Sequence, residues 1–84
     1  MPTVAIVDGA KIQFFAQEHP PPHFHIAFAE YRAQIEIDSL RVLKGNMPTA
    51  KLRDVISWAE TRQAALMQAW ICTVEERRRP EKIV

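Results

Sequence analysis

Apolar and polar residues alternate through the first half of the chain and recur every three or four positions through the second, which predicts strands followed by helix. "TVAIVDGAKIQFFAQ" holds two β-branched or aromatic runs joined by Asp8-Gly9, a dipeptide that tolerates the positive φ angles of a tight hairpin. Strands are therefore expected near residues 3–7 and 11–17. "HFHIAFAEYRAQIEID" then alternates over its whole length, with Phe24, Ile26 and Phe28 on one side and His23, His25 and Ala27 on the other. A turn around Ala29-Glu30 brings the chain back, with Tyr31, Ala33, Ile35 and Ile37 continuing the apolar face. A two- or four-residue loop there pairs 27 with 32, 25 with 34 and 23 with 36. "LRVLKG" adds a further short strand, ended by Gly45-Asn46.

The period changes at Met47. Pro48 suits a first helical turn, and Leu52, Val55, Ile56, Ala59, Leu66, Trp70 and Val74 form one stripe that should cover the sheet. A pattern of about 29 residues exceeds the usual helix, so either one long helix results or a break falls near Glu60-Thr61-Arg62 with Thr61 as cap. Pro80 ends the pattern. The expected architecture is α+β: an antiparallel sheet of four or five strands, residues 3–44, packed on one face by one long or two C-terminal helices, residues 48–78. A loose tail, 79–84, would complete a single domain over residues 1–84.

Composition narrows the function classes. At 84 residues the chain buries only about 60 to 65 per cent of its unfolded surface, so a partner protein or a second copy would help it. The net charge is +1, which supplies no overall electrostatic footprint for nucleic acid or membrane. No apolar run approaches the length of a membrane span. One cysteine, Cys72, excludes an internal disulfide and a multi-cysteine zinc site. With no leader read at its start, the chain is expected in a reducing cytoplasm.

The candidate chemistry is concentrated in "HPPPHFH", residues 19–25, which contains all three histidines. The proline run makes a stiff arm. His23 and His25 lie two apart on a strand, so both imidazoles leave the same face, about 6 to 7 Å apart at Cα. That face is expected to be solvent-exposed. His19 on the arm is the third candidate ligand, and Glu36 is the cross-strand neighbour of His23. Two or three histidines with a carboxylate suit a divalent transition metal such as Zn, Ni, Mn or Fe(II). Without metal, His23 or His25 would act as general base or acid, oriented by Glu36 or Asp38, with Arg32 or Lys11 holding an anion. Against both stands the plain alternative of solvated histidines on a polar strand face. His23, His25 and Glu30 also fit a cupin-like spacing, but a cupin needs a closed barrel and a later histidine that this chain lacks.

Lys51, Arg53, Arg62 and the run Arg77, Arg78, Arg79 with Lys82 are candidate phosphate contacts for nucleic acid, and Phe15 or Tyr31 could stack on a base. Glu75, Glu76 and Glu81 offset much of that charge. Trp58 and Trp70 are read as core, while Met47, Met67, Ile71 and Cys72 extend apolar area off the main stripe. Cys72 has Glu75 and Glu76 as its nearest charged neighbours in sequence, which does not favour a nucleophilic thiolate.

Taken together, "MPT", "PPHFH", "EYRAQIEI", the Gly before a Pro and a helix, and the tryptophans at 58 and 70 resemble a bacterial family, the domain of unknown function DUF4160, over roughly residues 1–74. The resemblance implies a small single domain often encoded beside another small protein, as in toxin–antitoxin cassettes, and no established activity. An interaction module in such a cassette is the leading expectation. A metal-binding or His-dependent hydrolase or ribonuclease is its rival. Two positions depart from the family pattern: Pro20 replaces the usual Asn, stiffening the arm, and Ala29 replaces the usual Gly, which disfavours a positive-φ turn there.

Overall fold

The computed structural model describes residues 2–84. Five strands form one antiparallel sheet in chain order: β1 (Thr3–Val7), β2 (Ala10–Gln13), β3 (His23–Phe28), β4 (Tyr31–Glu36) and β5 (Val42–Asn46). The central hairpin has the register that alternation predicts, with His23 opposite Glu36, His25 opposite Gln34 and Ala27 opposite Arg32. Directly paired residues share a face, so Ile12, Ile26 and Ala33 make one apolar row and Phe24 with Ile35 make another. All five are buried. Complete burial of such aliphatic and aromatic side chains contributes about 1.5 to 3 kcal/mol each.

The helical layer comes in two pieces, α1 (Thr49–Glu60) and α2 (Gln63–Trp70), and α2 passes into a π-helical turn over Ile71–Glu75. The break falls at the expected place, but Thr61 does not cap α2: its hydroxyl faces the Trp58 carbonyl, and Arg62 occupies the capping position without a side-chain bond. Val55, Ala59, Leu66 and Trp70 from the stripe are buried, and Leu52, Ile56 and Val74 pack half-buried against the same core. Trp58 also packs there, with the Arg62 guanidinium 5.1 Å from its ring centre. Among the described residues no helix is long and apolar enough to cross a membrane.

Two expectations need correction. The tail is docked: Pro80 is buried, the Ile83 amide donates to the Val4 carbonyl at 2.8 Å, and Arg62 Nε donates to the Val84 carbonyl at 2.8 Å. An apolar Ile83 reaching the sheet explains this better than the charged residues around it would suggest. Ala29 does take a positive φ, 52°, although it lacks glycine's freedom. A two-residue loop between twisted strands favours positive φ at its first position, and the left-handed geometry costs an L-residue about 1 to 2 kcal/mol.

Lys51 ties α1 to the first hairpin. Its ammonium donates to the Asp8 backbone carbonyl and, at 3.0 Å, to the Asp8 carboxylate, and it lies 4.4 Å from the centre of the Phe28 ring. The Lys51 hydrogen bond, then that of Asp54, hold the Asp8 carboxyl below its ordinary value. Gly45 (φ +93°) is equally particular, because a Cβ there would stand 2.2 Å from the Arg32 carbonyl oxygen and 2.8 Å from the Ala33 Cα.

Two outcomes follow. Gly45→Ala should cost at least about 2 kcal/mol in urea unfolding, because both the φ angle and the backbone clash oppose it. In a carbon-detected NMR titration Asp8 should titrate below the ordinary carboxylate range and move up toward it in Lys51→Met, which removes the largest cause and leaves that of Asp54. A depressed carboxylate adds stability above its unfolded pKa and loses it as pH falls through the folded one, so this contribution should fade only on the acid side.

Candidate metal centre

β3 sets the site. Its period of two sends His23 and His25 to the face opposite Phe24 and Ile26, and their ring centres stand 5.3 Å apart. The two imidazoles do emerge together, yet the expectation of a solvated pair holds only in part. His23 is 6 % exposed, because Trp70 at the end of α2 reaches over it with ring centres 5.1 Å apart. His25 is half-buried against Phe15, whose ring meets it edge-on at 4.4 Å.

The carboxylate at this site is Glu18, from the segment before the prolines. A single oxygen, Oε1, faces His23 Nε2 at 3.0 Å and also the Nε2 of His25 at hydrogen-bond distance. Burial alone would raise the Glu18 carboxyl, but hydrogen bonds from His25 and His23 outweigh it and hold the group below its ordinary value. The arm is not straight, with a cis peptide between Pro20 and Pro21, and His23 Nδ1 lies 2.8 Å from the Pro21 carbonyl oxygen. A carbonyl can only accept, so Nδ1 carries a hydrogen and donates it. In the neutral ring the Nε2 lone pair is then aimed at the point where Glu18 and His25 also converge.

Among the described residues this is the one cluster of histidine, cysteine and carboxylate groups with ligating spacing, its three donor atoms lying within 4.8 Å of one another. Donors bound to one transition metal at about 2.1 Å sit about 3.0 to 3.4 Å apart, and the 3.0 Å between Glu18 Oε1 and His23 Nε2 already falls in that range. The Nδ1 hydrogen bond to Pro21 supplies the outer contact that metal-bound histidines commonly make.

The other sequence candidates fall elsewhere. His19 is exposed and outside the cluster. Glu36 sits opposite His23 as the register demands, but its carboxylate accepts from the Ser39 hydroxyl instead of an imidazole. Arg32 shares the open sheet face with His25 and Gln34, its Nη1 donating to the Ala29 and Tyr31 carbonyls at 2.8 and 2.7 Å. Arg77, Arg78 and Arg79 follow the π-helical turn, apart from the cluster. Arg78 pairs with Glu76, and Arg78 and Arg79 line a cleft of about 770 Å³ between α2 and the tail. Cys72 lines it too, its thiol facing the carbonyls of Arg78 and Arg79 at 3.6 and 3.4 Å. Tyr31, considered as a stacking surface, packs half-buried against the core.

Glu18 could have been suspected from its place one residue before the histidine-rich stretch, but it lies outside any strand, where alternation says nothing about direction.

Compared with known proteins, residues 9–71 match a family model described as "Domain of unknown function (DUF4160)". No curated protein and no solved structure matches the chain.

Burial separates the three histidines in a measurable way. In chelator-treated protein, His23→Ala should cost about 2 kcal/mol in urea unfolding, since it removes a buried ring and a bond to backbone. His19→Ala should cost less than about 0.5 kcal/mol. Equal costs at the two positions would show that His23 is not held as described.

Proposed function

The chain belongs to the DUF4160 family, whose description carries no activity, and from its residues we propose that it is a small metal-binding protein. Glu18, His23 and His25 hold one divalent transition metal, with coordination positions left open toward the uncovered sheet face. The observation that carries this reading is the convergence of two Nε2 atoms and one carboxylate oxygen, with His23 oriented by its Nδ1–H bond to Pro21. A polar strand face that merely meets water needs no such focus. Two imidazoles and a carboxylate suit Zn, Mn, Ni or Fe(II), and a three-ligand protein site keeps room for a water or a substrate. A metal held there supplies Lewis acidity and lowers the pKa of bound water, the requirement of hydrolysis. The protein contributes orientation through Pro21, shielding through Trp70 and Phe15, and a charged ligand in Glu18.

The interaction-module reading keeps one observation of its own. β5 is the outer strand of the sheet and leaves Val42 and Leu43 44 % and 39 % exposed. At the opposite edge Ile83 already bonds to Val4 of β1. A small partner protein of a two-gene cassette would add a strand at β5. Such an edge and a metal centre on the face are compatible.

Metal content of untagged protein, followed by Co(II) and Zn(II) titration, tests the first reading. One equivalent should bind, and Glu18→Gln and His25→Ala should each weaken binding by more than about tenfold. His19→Ala should leave it unchanged. Failure of wild-type protein to hold stoichiometric metal would overturn the proposal.

A further inference from the structure

We infer that the hollow beside His25 binds a small phosphoryl-bearing ligand, inorganic phosphate or a phosphate monoester. This deepens the metal reading and rests on it only for what the ligand meets on its His25 side. The hollow is about 170 Å³ and is lined by His25, Arg32, Ala33, Gln34, Lys44 and Gly45. Register explains the set. His25, Gln34 and Lys44 stand in one cross-strand row, and Arg32 lies two residues from Gln34 on the same face. At β5 the pairing slips between Gln34 and Ile35, so Leu43 is an extra residue beside Lys44. Such bulges re-aim side chains. Gly45 follows with no side chain to fill the space.

Charge selects the ligand. Arg32 and Lys44 bring two cations, Gln34 an amide donor, and no carboxylate lines the hollow. The nearby Glu18 is already engaged by both imidazoles. Arg32 is anchored through Nη1 to two backbone carbonyls, which fixes the guanidinium and leaves its remaining N–H groups for a ligand. Lys44 has no ion-pair partner among the described residues. A dianionic tetrahedral group matches two cations and several donors better than a monocarboxylate does. The volume suits a group of that size and is below the usual range for a drug-sized ligand.

The test is a titration of inorganic phosphate, and separately of phenyl phosphate, into chelator-treated protein at constant ionic strength, followed by amide chemical shifts. Saturable shifts at Gln34, Lys44 and Gly45 are expected at millimolar ligand, with affinity weakened by about fivefold in Lys44→Met and similarly in Arg32→Met. Glu18→Gln should retain phosphate binding while its metal affinity falls by more than about tenfold, so the two readings fail separately. Stronger shifts with phenyl phosphate would assign the monoester, and equal shifts would assign the free anion. No saturable shift in wild type, or wild-type affinity retained in both cation variants, would overturn the inference, as would equal shifts with chloride.

Discussion

One carboxylate oxygen shared between two imidazoles is the interaction on which the site depends. Glu18 Oε1 meets the Nε2 atoms of His23 and His25 because β3 delivers both rings to the same face and the proline arm brings the chain back beside them. Each bond to an ionised Glu18 needs a proton on Nε2, and the Pro21 carbonyl already claims the hydrogen on His23 Nδ1. A divalent cation at that point satisfies the same three groups without a second proton on the His23 ring. The same three donor atoms that form the hydrogen-bonded cluster are therefore the ones a three-ligand centre would use.

The remainder of the fold holds this arrangement in place. The apolar face of the sheet, with Ile12, Phe24, Ile26 and Ile35 completely buried, fixes the strand register, and a slip of one residue would send both histidines into the core. Trp70 connects the helical layer to the site through its ring on His23, so loosening of α2 and loosening of the centre are physically coupled. Lys51 performs a comparable task at the other end, bridging α1 and the Asp8 turn. In so small a domain these few bridges between layers carry a large share of the rigidity that a precise donor set requires.

What the sequence made legible follows from period. Alternation along residues 23–37 predicted the pairing of His23 with Glu36 and of His25 with Gln34, and the change to a 3.6-residue period placed the helical layer and its break. Period says nothing about residues off the ladder. Glu18 was missed because the arm's course is set by tertiary contacts, and His19 was favoured only for its proximity along the chain. Glu36 has the right register, but a local bond to Ser39 competes for its carboxylate. Burial of His23 was equally invisible, since it comes from a tryptophan 47 positions away. Ala29 shows the reverse case, in which loop closure overrides a local preference.

The most direct test of the central claim is anomalous diffraction from crystals of untagged protein grown with one equivalent of Zn(II) or Co(II). The account predicts a single strong peak about 2.0 to 2.2 Å from Nε2 of His23, Nε2 of His25 and a carboxylate oxygen of Glu18. A peak at His19, or at the surface with the Glu18 carboxylate still bridging two metal-free imidazoles, would contradict it.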